Sequence, residues 1–423
     1  MQILHIDLSL TLDPSKQKID AQAILTAQFS GQEHYFFLNK KLKIKKVKIL
    51  DLDENQDNFI QKLEEHNNNM FISANKYLLN KIPHYNSDSA LQLLIEYQGD
   101  SLESDDWGTN YFLPEGLEMG LYSTFYPYVR VSDRPSFTLQ LKGPKNWDWK
   151  VNAAFKEKNG LLIWKNTGQP SDITLIGLPK ENCIPKDQQT LFWGNKEAYK
   201  NFKVFETDLL KRKEILVAWL DEPEESDLCI ALPLRKSGGI YVRGSLFISE
   251  IAIPDEYYHE KKSFFLLSWT HEIAHLWFNK SSAETYHNWV DEGLADYTAL
   301  LVAQQEDGEE YFSTRLHFLL NYIDERDLSP IKDIDRSNPN ANIIFYVWGS
   351  IIYHKIRLEI GLEKFKEFMK KFAKLSMKKR NVVTKDMVDV LNTVYKKDWE
   401  KEIKKYLEIK PNSKILFDFV HDA

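Results

Sequence analysis

The sequence predicts an α+β protein, with a β-sheet domain first and a mostly helical domain second. Three observations carry that prediction. Before about residue 190 the chain falls into short runs of alternating apolar and polar side chains, the period of a strand buried on one face. After about residue 200, apolar residues recur at three- and four-residue spacing over long segments, the period of an amphipathic helix. The chain has 423 residues, too many for one ordinary hydrophobic core, so two domains, 1–190 and 191–423, are expected.

The strands follow in order. Ile3 to Leu12 alternates, and Ala21 to Phe29 does the same after a polar turn. Leu91 to Tyr97, Phe137 to Leu141 and Leu161 to Trp164 read the same way. Pro14, Gly99, Pro144, Gly160 and Gly168 punctuate them, as residues suited to turns should. The pattern changes near 188–201. Ile215 to Trp219 and Ile240 to Ile248 read as two further strands. Helices are then expected over Ser263 to Phe278, Trp289 to Gln305, Tyr311 to Ile323, Ile343 to Glu359 and Leu362 to Lys374. Thr384 is a suitable N-cap for a helix to about Tyr395, and a last helix runs from Trp399 to about Leu407, stopped before Pro411.

Composition narrows the class. Hydrophobic residues make up 43% and charged residues 28%, so the chain can bury a sizeable core and stay soluble. A net charge of −7 leaves no electrostatic footprint for nucleic acid. The lysine-rich stretches Lys40 to Lys48 and Lys374 to Arg380 read as solvated faces. Two cysteines, Cys183 and Cys229, make no disulfide framework and suit a reducing compartment. The first residues lack the basic and apolar regions of a secretory signal, and no apolar run is long enough to span a membrane, so a cytoplasmic location is expected.

The sharpest local signal is H-E-I-A-H, His271 to His275. On a helix, residues at i and i+4 lie about 40° apart in azimuth and about 6 Å apart along the axis. Both imidazoles can therefore reach one zinc ion at roughly 2.0–2.1 Å. Glu272 sits beside the metal in such a motif and acts as a base, not a ligand. A catalytic zinc needs a third protein ligand and an open position. Glu292, in W-V-D-E-G-L-A-D-Y, is the strongest candidate, with 16 residues, 276 to 291, between it and His275. Asp296 follows at i+4 on the same helix face, where its carboxylate can accept the free ring N–H of a liganding histidine.

These residues resemble the aminopeptidase N and leukotriene hydrolase family of gluzincins. Its members carry H-E-x-x-H, a slightly longer spacer, and a glutamate inside N-E-G-F-A where this chain has D-E-G-L-A. The resemblance implies a saddle-like N-terminal β domain followed by a thermolysin-like zinc peptidase domain. It covers nearly the whole chain in a short form, without room for the family's large C-terminal helical domain. Three further roles follow from it. The family's Y-x-K-G tyrosine, which stabilises the oxyanion, matches Tyr346 in F-Y-V-W-G, with Trp348 in place of the lysine. The family's G-x-M-E-N strand, whose edge binds the substrate backbone, matches Gly238, Gly239, Tyr241 and Arg243; Tyr241 stands where the amine-binding glutamate is expected. Glu118, in G-L-E-M-G, is the nearest candidate for an amine anchor from the first domain.

The expectation is a peptidase with one Zn2+ per chain, acting on peptide substrates with a free N-terminus. Three alternatives stay open: a peptidase that needs no free N-terminus, a hydrolase of non-peptide substrates, and a non-catalytic scaffold. The intact Glu272 argues against the last. Side-chain preference and oligomeric state are not legible.

Overall fold

The computed structural model describes residues 1–30, 33–50, 60–66, 74–79, 90–100, 102, 110–130, 133–166, 172–223, 228–234, 241–243, 246–248 and 255–412. It divides into two compact units, Met1–Asn201 with Leu228–Ala252, and Phe202–Asp227 with Ile253–Ala423.

The first unit is built of strands. In chain order these are β1 (Gln2–Asp13), β2 (Lys18–Gln28), β3 (Tyr35–Asn39), β4 (Lys43–Ile49), β5 (Ile60–His66), β6 (Ala74–Leu79), β7 (Ala90–Gly99), β8 (Tyr111–Leu113) and β9 (Gly116–Met119). They continue as β10 (Ser136–Lys142), β11 (Trp147–Val151), β12 (Ala154–Lys158), β13 (Leu161–Asn166), β14 (Leu175–Pro179), β15 (Phe192–Gly194), β16 (Cys229–Leu232), β17 (Tyr241–Arg243) and β18 (Leu246–Ile248). The largest sheet has seven strands in the order β12-β13-β10-β1-β2-β7-β4. Only β1 and β10 run parallel in it.

Alternation explains how this sheet buries one face. Ile6, Leu8, Leu10 and Leu12 point inward from β1, opposite Leu25, Ala23, Ala21 and Ile19 of β2. Ile3 is also buried although its parity is wrong for that face. The register shift between Ile3 and His5 supplies the reason, since a bulge inserts one residue and flips the side chains beyond it. Two smaller sheets run β11-β14-β9-β8 and β3-β6-β5, and a fourth runs β15-β16-β18-β17. In this last sheet β17 and β18 pair as a hairpin, where one strand over Ile240 to Ile248 was expected.

The second unit is helical: α2 (Glu206–Leu220), α3 (Asp255–Ala274), α4 (Trp289–Asp307), α5 (Glu309–Asp324), a π-helix (Ile343–Trp348), α6 (Gly349–Ile360), α7 (Leu362–Lys378), α8 (Thr384–Val394) and α9 (Trp399–Glu408). A short helix, α1 (Lys196–Phe202), precedes it. Trp277, Trp289, Trp348 and Trp399 are fully buried and anchor its core. Among the described residues no helix is long and apolar enough to cross a membrane, and Cys183 and Cys229 are free thiols.

Two local expectations need correction. Ile215 to Trp219 lies inside α2 and is not a strand. Leu209, Arg212, Leu216 and Leu220 are its buried positions, a helical spacing that a five-residue apolar window hides. Thr384 is the first residue of α8 and not its cap; the cap position is Val383, whose backbone N–H donates to the Asp386 carboxylate at 3.0 Å. The Thr384 hydroxyl instead accepts from the Trp289 indole at 3.0 Å, tying α8 to the start of α4.

Candidate metal centre

The zinc-type motif occupies the end of α3. His271 lies within the helix, while His275 falls just past its last residue. There the backbone tightens: the amides of His275, Leu276 and Trp277 donate to the carbonyls of Glu272, Ile273 and Ala274, three residues back. Such i→i+3 bonds are the usual way a helix finishes its last turn. The tightening keeps the two imidazoles together, with Nε2 of His271 and Nε2 of His275 only 3.1 Å apart.

Glu292 arrives from the first turn of α4, which is pinned at its start. The Asp291 carboxylate accepts from both the amide and the hydroxyl of Ser281, at 2.5 and 2.7 Å. Glu292 Oε2 then lies 3.5 Å from His271 Nε2 and 3.2 Å from His275 Nε2. All three residues are buried, and their three atoms could hold one metal ion.

The protonation logic tests that fit. His275 Nδ1 is 2.6 Å from the carbonyl oxygen of Phe278, which can only accept, so a ring proton sits on Nδ1, and in the neutral ring Nε2 carries the lone pair. His271 Nδ1 lies 3.3 Å from Asp296 Oδ1, although it is not aligned as a well-formed hydrogen bond. A ring proton facing that carboxylate leaves His271 Nε2 a lone pair as well. Among the described residues Glu292 Oε2 has no well-formed hydrogen bond. Three buried acceptors within 3.5 Å of one another repel unless a cation sits between them.

The local field says the same. For His271, burial disfavours the charged ring, yet the Asp296 and Glu292 carboxylates and the Glu272 charge outweigh it and push its pKa up to about 10. His275 is raised too, with Glu292 overcoming burial. Glu292 is held well below the usual carboxylate range: burial opposes this, and Arg336 and the two histidines overcome it. The site therefore demands positive charge, which a divalent ion supplies with neutral imidazoles as ligands.

Tyr346 closes one side. Its ring stacks on that of His271 at 5.1 Å between centroids and 15° between planes. Burial raises its pKa above the ordinary phenol range, against the pull of Arg336, so the hydroxyl keeps its proton and can donate it. Tyr346 sits within the π-helix, a wide turn that re-aims side chains and recurs at functional sites. The reason this segment reaches Glu292 is a pair of glycines. A Cβ on Gly293 would lie 2.7 Å from the carbonyl carbon of Gly349, and one on Gly349 would lie 3.0 Å from the Gly293 Cα. Only two glycines let α4 and α6 cross so closely.

The fold has clear counterparts among solved structures. No family model and no curated protein matches the sequence. An M1 zinc metallopeptidase from Deinococcus radiodurans superposes with a TM-score of 0.71 at 17% identity, over 97% of this chain and 94% of that one. The fold is that of the M1 zinc metallopeptidases. A mutant M1 zinc metallopeptidase from Deinococcus radiodurans bound to a Tyr-Ser-Ala substrate also superposes with a TM-score of 0.71. Yeast leukotriene A4 hydrolase bound to bestatin aligns with a TM-score of 0.72 at 16% identity, over 97% of this chain and 68% of that one.

Within this M1-like fold, Glu272 follows His271 on α3, and the other expected site residues belong to the first unit or fall outside the described residues. Glu272 is half-buried, and its charge acts on His271, His275 and Tyr346. Glu118 is wholly buried on β9 in the first unit. Gly238 and Gly239 lie outside the described residues. Tyr241 and Arg243 are on β17, where only the backbone is described. Arg336 was not singled out. It donates to Glu292 Oε1 at 2.5 Å and to the Tyr346 hydroxyl at 2.9 Å. A lone arginine among Asp335, Ser337, Asn338 and Pro339 carries no motif that could have marked it.

Proposed function

We propose that this protein is a zinc metallopeptidase of the aminopeptidase-like kind, with His271, His275 and Glu292 as the ligands of one zinc. The observation that carries the reading is the convergence on one point of two ring nitrogens, each on an imidazole whose other nitrogen faces an acceptor, and one buried carboxylate oxygen. Zinc bound there would lower the pKa of a water to about 7 and polarise the scissile carbonyl.

The chain supplies the rest. Glu272 accepts the proton of the attacking water and returns it to the leaving amine. The Tyr346 hydroxyl donates to the oxyanion of the tetrahedral intermediate. Asp296 and the Phe278 carbonyl hold the two imidazoles in their tautomers. The segment 238–244 would align the substrate backbone by strand addition, and Glu118 is the proposed partner of the substrate amine. We assign the chemistry to 191–423, the β domain to 1–190 and the location to the cytoplasm. In support, the similar Deinococcus structure is described with a Tyr-Ser-Ala substrate.

A second reading rests on Tyr241, a neutral phenol where a free amine would need a carboxylate: peptides without a free N-terminus are then also cleaved. One panel tests both readings. Fluorogenic peptides with free and blocked termini are assayed with and without a chelator. Chelator-sensitive hydrolysis of any peptide supports the proposal; no turnover by the zinc-loaded protein rejects it.

A further inference from the structure

The guanidinium of Arg336 is held at every nitrogen. Nε donates to Asn288 Oδ1 at 2.7 Å and one terminal nitrogen donates to Asn342 Oδ1 at 2.6 Å. The other terminal nitrogen has two hydrogens and two acceptors, Glu292 Oε1 at 2.5 Å and the Tyr346 hydroxyl at 2.9 Å. Asn288 is buried immediately before α4, and Asn342 immediately precedes the π-helix. The loop that carries Arg336 is itself set by Asp335, whose side chain accepts from the amide and hydroxyl of Ser337 at 2.8 and 2.5 Å. One planar fork therefore clamps the elements that deliver Glu292 and Tyr346. A lysine, a point charge on a flexible stem, cannot reproduce four such bonds.

We propose that Arg336 is a positioning residue: it occupies Glu292 Oε1 so that Oε2 alone is presented to the metal, and it sets the Tyr346 hydroxyl in the same stroke. The consequence for the metal is an open position, because a carboxylate that chelates through both oxygens would take up the place of the attacking water. The consequence for Tyr346 is a polarised O–H. An arginine N–H donated to the phenol oxygen leaves the phenol proton free to point outward and makes it a stronger donor. Trp348 plays no part in this: it is fully buried and its indole donates to the Tyr406 carbonyl at 3.4 Å. The positive charge beside Tyr346 comes from a different element, 10 residues earlier in the chain.

This inference rests on the zinc peptidase reading, and its test separates the two. Arg336→Met and Arg336→Lys are compared with the unaltered protein by thermal melt, by zinc affinity in chelator competition, and by kcat and KM on the best peptide of the panel. Arg336→Met is expected to weaken zinc binding by about 10–100-fold, the usual loss for an outer partner of a ligand. It should lower kcat by about 10²-fold with KM nearly unchanged, since the oxyanion donor is displaced. Arg336→Lys should fall between, and it decides the question if the methionine variant does not fold. Unaltered zinc affinity together with unaltered kcat in a folded variant overturns the proposal. If the unaltered protein binds zinc but cleaves nothing, the peptidase reading fails, and the zinc affinities alone decide the role of Arg336.

Discussion

At the scale of single residues, the site separates ligand, base and orienting groups, and each separation can be measured. Glu272→Gln keeps the shape of the side chain and removes its proton acceptor. It should retain a full zinc equivalent after dialysis and lose nearly all turnover; loss of the metal would make Glu272 a ligand. Asp296→Ala should weaken zinc by about 10–100-fold in chelator competition, and unchanged affinity would exclude it from the support of His271. Tyr346→Phe should lower kcat by about 10²–10³-fold with little change in KM. Two other side chains of the second unit that could act as such a donor, Tyr353 and His287, are engaged elsewhere. Tyr353 donates to the Val290 carbonyl at 3.0 Å, and His287 Nδ1 is 3.0 Å from the Thr384 hydroxyl. Full activity in Tyr346→Phe would show that one of them is freed on substrate binding.

At the scale of elements, the decisive contact is the glycine crossing of α4 and the segment that starts α6. Alanine in place of Gly293 would gain about 1 kcal/mol in helix propensity. Against that, its Cβ would sit 2.7 Å from backbone atoms of Gly349, which have no rotamer to escape through. Overpacking of this kind costs about 1–3 kcal/mol, so the clash wins. Gly293→Ala should lower stability in urea unfolding and also weaken zinc binding, because Glu292 is its neighbour. A variant as stable as the original would mean the helices can part without cost. The expectation of a helix over Ile343 to Glu359 located this element but not its wide first turn. An isolated π turn has no periodicity of its own, so a pattern of three- and four-residue spacings passes over it.

At the scale of the whole molecule, the question is what recognises the substrate's end. An ammonium taken out of water needs a carboxylate partner. Tyr241 offers none, and Glu118 is the only candidate read from the first domain. We expect weaker discrimination for a free N-terminus than a dedicated aminopeptidase shows. The measurement is kcat/KM for a matched pair, one peptide free and one acetylated. Efficient cleavage of the free peptide with the acetylated one untouched would refute the expectation, and Glu118→Gln would then report whether Glu118 is the anchor.

The sequence by itself determined whatever is encoded within a few residues. The alternation of Ile6 to Leu12 specifies a strand with one buried face, and the i,i+4 spacing of His271 and His275 brings two imidazoles to one point on any helix. It also marked Glu292 and Asp296, because they share a face on one short stretch. Tertiary structure alone decided the rest. Arg336 meets Glu292 across 44 residues and Gly293 meets Gly349 across 56, and neither partner announces the other. The Phe278 carbonyl that fixes the His275 tautomer is a backbone atom with no sequence signature at all. Local periodicity reports which face of an element is apolar; it cannot report which polar atoms meet once those faces are packed.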